Sequence, residues 1–167
     1  GEMAISQDGS KLAYGNFTGG EIVLYDFDRC SGQLSNPNYV EDDNSGDPLI
    51  PYSLEFSPSG SLLYTSTHGG GGPPAYRNKL IQYDLSATDI MSSKVVLGNT
   101  HPASIGQIEM GPDGKIYVTG KSQSWPTMVT SNTHLSVIRS PDSLGHSCDY
   151  QKFSFYVGDS AVTDYSL

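Results

Sequence analysis

Hydrophobic and polar residues alternate in short segments along this chain, and the same order of segments occurs three times. Each unit begins with an apolar segment, a turn and an alternating segment, at residues 3–14, 54–66 and 108–118. A period of two predicts strands, whereas a period of 3.6 would predict helices. Asp8-Gly9, Ser59-Gly60 and Asp113-Gly114 predict tight turns between the strands, because glycine tolerates positive φ.

Each unit continues with two more apolar segments. The first lies at residues 22–26, 80–84 and 135–139, and a weaker one lies around Tyr39-Val40, at 95–97 and at 153–157. The turn glycines are 51 and 54 residues apart. Four strands in a repeat of about 40–50 residues are typical of WD-like β-propeller blades. We therefore predict an all-β, propeller-type fold with three four-stranded blades.

The predicted blades cover residues 1–48, 49–98 and 99–158, and residues 159–167 form a tail or the start of a next blade. The connection from Cys30 to Pro51 contains Asn36-Pro37 and Asp47-Pro48, and it is predicted to be a loop. Propellers need about four to eight blades to close. The chain is thus expected to be a piece of a larger propeller, which we favour because it begins inside a strand, or half of a six-bladed homodimer.

The charge narrows the range of partners. Eighteen acidic and nine basic residues give a net charge of −9. This balance argues against nucleic acid, because no basic cluster is present to displace counterions from phosphates. No apolar run approaches the roughly 18–20 residues that cross a bilayer, so no membrane insertion is expected. Cys30 and Cys148 fall in the first and third units, which are not neighbours in a large ring, and no disulfide between them is expected.

Several segments of the chain carry a family resemblance. Asp28-Arg29-Cys30-Ser31-Gly32 and Gly145-His146-Ser147-Cys148-Asp149 are the most distinctive of them. The chain resembles the propeller-like repeat region of large secreted Bacteroidetes proteins, which often carry PKD-type domains, are exported by type IX secretion and are associated with gliding motility. The resemblance implies an extracellular or cell-surface location and an interaction role. It implies no catalytic residues.

Two groups of residues are candidates for binding. Asp42, Asn44 and Asp47 place oxygen ligands in one acidic loop, which suggests a Ca²⁺ site, although Ser53 stands where a calcium loop has its bidentate glutamate. The alternative is a solvated acidic turn, and no other cofactor is predicted. Trp125, Tyr76 and Tyr52 are candidates for contacting a sugar or a partner protein, since aromatic rings bury a large area with few rotatable bonds. The alternative for Trp125 is packing beneath its own loop.

Ser143 and Ser160 each follow an aspartate, in triplets that resemble the short O-glycosylation motif of secreted Bacteroidetes proteins. They are therefore candidates for glycosylation.

The expected function is a non-enzymatic extracellular binding, adhesion or scaffold module of a larger protein, with a protein or glycan as its partner. No Ser-His-Asp arrangement or pair of catalytic carboxylates stands out, so no catalytic residue is predicted. The alternative is a hydrolase or lyase of extracellular polysaccharide with its site in the axial channel. Convergent ionisable side chains in that channel would favour the enzyme, while small apolar residues and tyrosines would favour the scaffold.

Overall fold

The structure, a computed structural model, describes residues 2–41, 50–68, 78–99, 103–122 and 133–158. The strands in these ranges form three four-stranded sheets in which every pair is antiparallel. The prediction of an all-β, propeller-like fold with three sheets of four strands is confirmed. In the described part of the chain, no helix has the length and apolar character needed to cross a membrane.

Within each sheet the strands lie side by side in chain order. The first sheet contains β1 (Glu2–Ile5), β2 (Lys11–Gly15), β3 (Ile22–Asp28) and β4 (Gln33–Glu41). The second contains β5 (Ile50–Phe56), β6 (Leu62–His68), β7 (Lys79–Asp84) and β8 (Val95–Asn99). The third contains β9 (Ala103–Met110), β10 (Ile116–Ser122), β11 (His134–Ile138) and β12 (Tyr150–Tyr156). Short 3-10 helices cover Met91–Ser93 and Gly145–Cys148.

The first strands of the three sheets are neighbours in space. β5 contacts both β1 and β9, and we call these three the inner strands. This is the arrangement expected of blades around an axis, where the first strand of each blade lies innermost. A site where the three sheets meet is therefore built from the inner strands and the turns and loops next to them.

The turn after each inner strand has the same geometry in all three sheets. Gly9, Gly60 and Gly114 have φ angles of 70°, 70° and 74°. The N–H of each glycine donates to the carbonyl three residues earlier, at 2.8, 2.8 and 3.0 Å. Because only glycine adopts such a φ without strain, the three turn signals in the sequence correspond to one repeated hairpin.

Apolar side chains fill the two spaces between the sheets. Successive side chains of a strand point to opposite faces of its sheet, so the second sheet has one face toward the first sheet and the other toward the third. The first space is filled chiefly by Ala4, Ala13, Ile22 and Leu24 of the first sheet and by Leu54, Phe56, Leu63, Ile81 and Tyr83 of the second. The second space contains Leu62, Tyr64 and Leu80 of the second sheet, with Ile108, Ile116, Ile138 and Cys148 of the third. Cys30 is exposed, and the two cysteines are not bonded to one another.

The weak strand segment predicted around Tyr39-Val40 belongs to β4, but β4 begins earlier, at Gln33, so the prediction of a loop is wrong for this first part of the segment from Cys30 to Pro51. β4 runs through Asn36-Pro37, where its pairing with β3 shifts register between Leu24 and Asp26. At this register shift Asn36 adopts a left-handed backbone conformation with a φ of 50°. Its side-chain amide donates to the Asp26 carboxylate at 2.8 Å. Proline is tolerated here because β4 is an edge strand in its sheet.

The two segments that carry the family resemblance have structural roles. Asp28 closes the turn from β3 to β4, because its carboxylate accepts the Cys30 N–H at 2.9 Å and the Ser31 hydroxyl at 2.7 Å. The second segment contains the 3-10 helix before β12, where the Gly145 N–H donates to the side chain of Gln82 at 2.7 Å. One segment therefore shapes a hairpin, and the other joins the second and third sheets.

Candidate ligand site at the inner strands

Two of the inner strands, β5 and β9, contain an irregularity in their pairing. The pairing of β5 with β6 shifts register between Pro51 and Ser53, so Tyr52 is the extra residue of a bulge. The pairing of β10 with β9 shifts between Val118 and Gly120, which places Gln107 in a second bulge. Bulges turn side chains out of the regular alternation and occur often beside functional sites.

The two bulges face one cavity. It has a volume of about 280 Å³ and is lined by Glu2, Phe17, Pro51, Tyr52 and Gln107. We call it the inner cavity. Each sheet contributes to it: Glu2 lies in the first sheet and Phe17 in the loop between its strands β2 and β3, Pro51 and Tyr52 lie in the second sheet, and Gln107 lies in the third. The site therefore exists only because the three sheets are packed together.

The loop between β2 and β3 places Phe17 at the cavity. The Asn16 side chain accepts the Thr18 N–H at 3.1 Å, and the Asn16 carbonyl accepts the Gly20 N–H at 2.9 Å. These bonds make a tight loop that leaves the Phe17 ring exposed. Next to it, a Cβ atom on Gly15 would lie only 3.2 Å from the Pro51 ring, so the absence of a side chain lets the first sheet approach β5.

The side chains of the inner cavity combine apolar surface with groups that orient a ligand. Phe17 and Tyr52 supply aromatic rings, the Glu2 carboxylate accepts hydrogen bonds, and the Gln107 amide both donates and accepts. Small-molecule sites are typically built from apolar walls with a few placed polar groups. The arrangement suits a small neutral ligand with hydroxyl or amide groups, such as a sugar ring.

A second cavity opens at the other end of the inner strands. It measures about 470 Å³, is lined by Ile5, Gln7, Glu55, Phe56, Met110, Gly111 and Pro112, and is called the turn cavity here. Glu55 accepts the N–H groups of Phe56 and Met110, each at 3.0 Å. Burial raises the pKa of the Glu55 carboxyl, and the nearby Glu109 charge adds to this effect, while the two N–H groups oppose it. The hydrogen bond from the Met110 N–H to the Glu55 side chain thus links β9 to β5.

Of the three aromatic residues predicted to bind a ligand, Tyr52 lies in the inner cavity. Trp125 and Tyr76 lie outside the described residues, as do Asp42, Asn44 and Asp47 of the candidate calcium loop. Among the residues that the structure describes, no three His, Cys, Asp or Glu side chains are grouped so that they could hold a metal.

Ser143, one of the two candidate glycosylation sites, is half-buried in a turn. Its N–H donates to the Ser140 carbonyl at 2.9 Å, and its own carbonyl accepts a hydrogen bond from Gln82 at 2.9 Å. Ser160 lies beyond the described part of the chain. Glycosylation of both serines stays a prediction.

Sequence reasoning missed Glu2, Phe17 and Gln107. A signal was present for two of them. Asn16 and Gly20 surround Phe17 with turn chemistry, and Gly106 inside a strand pattern indicates a bulge next to Gln107. Nothing in the local sequence distinguishes Glu2 from any other strand residue.

No protein-family model matches the sequence, and no curated protein does either. Solved structures do match. A luciferin-regenerating enzyme has a TM-score of 0.54 at 15% identity, over 99% of this chain and 48% of that chain. A Mycobacterium tuberculosis puromycin-hydrolyzing peptidase has a TM-score of 0.55 at 14% identity, over 90% of this chain and 21% of that one.

A nidogen/laminin complex also matches, with a TM-score of 0.51 at 10% identity, over 81% of this chain and 42% of that one. The chain therefore spans about half or less of the length of these neighbours. They include propeller-type proteins, and at these identities the likeness concerns the fold alone.

Proposed function

We propose that this chain is the binding module of a larger extracellular or cell-surface protein, and that it holds a glycan at the inner cavity. The observation that carries the proposal is the pair of bulges that aim Tyr52 and Gln107 into one cavity beside Phe17 and Glu2. Aromatic rings contact the C–H faces of a sugar, while a carboxylate and an amide bond to its hydroxyls. A protein side chain is the alternative ligand.

The size of the cavity supports a small ligand. Ligand pockets commonly measure about 300–1,000 Å³, and the inner cavity is just below this range with about 280 Å³. It has room for roughly one sugar ring, so the rest of a longer glycan would extend over the loops. Because the inner cavity has room for roughly one sugar ring, it is proposed to bind a single terminal or branching sugar of a glycan.

The three sheets are proposed to be three blades of a propeller ring. Their order along the chain and the contacts of β5 with β1 and β9 support this. The extracellular location rests on the resemblance to secreted Bacteroidetes proteins carried by Asp28-Arg29-Cys30-Ser31-Gly32 and Gly145-His146-Ser147-Cys148-Asp149. The inner cavity would then lie at the axis of the ring, where propeller ligands are commonly held.

Enzymatic cleavage of polysaccharide is the less supported function. Glycosidases of the common type need two carboxylates on opposite sides of the scissile bond. Among the described residues, the inner cavity contributes the carboxylate of Glu2, and the turn cavity contributes that of Glu55. The two cavities lie at opposite ends of the inner strands, so these two carboxylates do not form such a pair.

The test is a glycan array probed with the purified chain, followed by calorimetry with the best glycan. We expect Phe17→Ala and Tyr52→Ala each to weaken binding by about tenfold or more, which corresponds to about 1.4 kcal/mol. Tyr156→Ala is the matched control, because Tyr156 is an exposed aromatic residue on the outer strand β12.

Three results would count against the proposal. Equal affinities of the variants and the parent would place the ligand elsewhere. Release of reducing ends from a bound polysaccharide would favour the enzyme. If no glycan on the array binds, the glycan part of the proposal is wrong, and a peptide library then tests the protein alternative.

A further inference from the structure

The turn cavity lies at the end of the inner strands where the structure describes every connection. The connections between consecutive strands of each sheet at this end cover residues 6–10, 29–32, 57–61, 85–94, 111–115 and 139–149. Ile5 of the first sheet, Glu55 and Phe56 of the second and Met110 of the third all line this cavity of about 470 Å³. It is therefore a place where the three sheets meet, separate from the inner cavity at the opposite end.

Glu55 brings a negative charge into the turn cavity. Its side chain is half-buried, and its two carboxylate oxygens each accept one backbone N–H, from Phe56 and from Met110, at 3.0 Å. A carboxylate offers about four acceptor positions, so about two remain for a ligand. In the described part of the chain, no basic side chain forms an ion pair with Glu55, and no basic residue lines the cavity.

The environment of Glu55 favours a positively charged ligand. Burial raises the pKa of its carboxyl, because a charge is poorly solvated there, and the charge of Glu109 acts in the same direction. A cation in the cavity would stabilise the ionised carboxylate. The net charge of −9 attracts cations to the chain as a whole.

The walls of the turn cavity select the kind of cation. Ile5, Phe56, Met110 and Pro112 supply apolar surface, and Ile5 is an exposed large hydrophobic residue. An alkylammonium group has matching parts, because its methylene chain packs against apolar side chains while its NH3+ group donates up to three hydrogen bonds. A metal ion fits less well, since no three metal-ligating side chains are grouped among the described residues.

The repeat supplies an internal comparison for Glu55. Five residues before the turn glycines, Ala4, Glu55 and Glu109 stand at the same position. Ala4 is buried between the first and second sheets. Glu109 is exposed, and its carboxylate accepts the Gln107 amide at 3.5 Å. Of these three described residues Glu55 lines the turn cavity, so Glu109 is a matched control for its charge.

We propose that the turn cavity binds a primary alkylammonium group, the group at the end of a lysine side chain, and that its NH3+ group donates a hydrogen bond to the Glu55 carboxylate. This is a second site, independent of glycan binding at the inner cavity. Three sources carry such a group: a lysine of a partner protein, a lysine of a longer chain that contains this sequence, and a free amine.

Calorimetry with Nα-acetyl-lysine N-methylamide as the probe tests the proposal. We expect the parent chain to bind the probe, and Glu55→Gln to bind it at least about tenfold more weakly, because glutamine keeps an acceptor oxygen but lacks the charge. Glu109→Gln removes the same charge outside the cavity, and its affinity for the probe should stay within about threefold of the parent. Urea unfolding checks that both variants fold.

Ile5→Ser is a second test that leaves the carboxylate in place. It should weaken binding of the probe by about threefold, because it removes apolar surface that the methylene chain would contact. Val96→Ser is the matched control: Val96 is 43% exposed against 47% for Ile5, but lies on the outer strand β8. Its affinity for the probe should equal that of the parent.

Two comparisons identify the source of the ammonium group. n-Butylamine carries the group without a peptide unit, so equal binding of both amines indicates a free amine, and tighter binding of the lysine derivative indicates a protein lysine. In a longer chain that contains this sequence, a lysine of that chain would compete with the probe at its effective concentration and weaken probe binding. A lysine of a separate partner would leave probe binding to the longer chain unchanged.

The proposal is overturned if the parent chain binds neither amine, or if Glu55→Gln binds the probe as tightly as the parent. It is also overturned if Glu109→Gln loses as much affinity as Glu55→Gln, which would show general attraction to a negative chain. Phe17→Ala should leave amine binding unchanged, so failure of this proposal is distinguishable from failure of glycan binding.

Discussion

At the scale of single residues, the three turn glycines explain why the repeat can be read from the sequence. Each turn needs one residue at a φ near +70°, and each has a glycine there. Around Gly9 the side chain of Asp8 also accepts hydrogen bonds from Ser6 and Ser10, at 2.6 and 3.0 Å, which lower the pKa of its carboxyl to about 2. Local chemistry alone therefore determines these hairpins.

Gly60→Ala should lower the free energy of unfolding by about 1 kcal/mol, because an L-residue at this φ is strained. Urea titration measures the change. Gly60→Asn is the matched variant, since asparagine tolerates the left-handed region and should lose less stability than alanine. Equal losses for the two variants would show that the added side-chain volume, rather than backbone strain, is the cause.

At the scale of elements, the sheets are joined by buried polar contacts as well as apolar packing. Glu41 at the end of β4 is fully buried, and its carboxylate accepts the Tyr83 hydroxyl at 2.6 Å and contacts the Lys94 amine at 2.8 Å. Burial, reinforced by the adjacent carboxylate, raises the pKa of the Tyr83 phenol. These bonds join the outer strand of the first sheet to the second sheet.

Tyr83→Phe should therefore lower the free energy of unfolding by about 1–3 kcal/mol, because it deprives a buried carboxylate of a donor. Tyr39→Phe is the control, since Tyr39 is exposed on the neighbouring part of β4. Thermal or urea unfolding measures both variants. If the stability of Tyr83→Phe is unchanged, the contact with Lys94 alone is enough to stabilise the buried Glu41 carboxylate.

At the scale of the whole molecule, the three sheets depend on one another because the two described clusters of buried apolar side chains lie between them. Cys148 lies in the core between the second and third sheets, and burial raises the pKa of its thiol. Cys30 is exposed in the turn from β3 to β4. The reactivity of the Cys30 thiol therefore reports on surface exposure. The reactivity of the Cys148 thiol reports on the separation of the second and third sheets.

With Ellman's reagent, we expect one thiol per chain to react in the native state and two after denaturation. The second thiol should react at the rate at which the second and third sheets separate, because only the exposed thiolate is reactive. Cys30→Ser should remove the fast phase alone. Absence of any reactive thiol after denaturation without reductant would show a disulfide and contradict the expectation of two free cysteines.

The sequence by itself determined the strands, the turns and their threefold repetition, because alternation and glycine conformation are local properties. It also predicted Tyr52 as a binding residue; the structure places Tyr52 in the inner cavity, and its binding role stays a prediction. It was misleading at Asn36-Pro37, where loop-like residues belong to an edge strand because a bulge in the pairing with β3 accommodates them.

Only the tertiary structure decided which residues meet. Register shifts between paired strands turned Tyr52 and Gln107 toward one cavity, and the packing of three sheets brought Glu2 and Phe17 beside them. The same packing buried the face of the first sheet that carries Ala4 and Ala13. These outcomes depend on contacts between residues tens of positions apart, which the local alternation of a single strand does not encode.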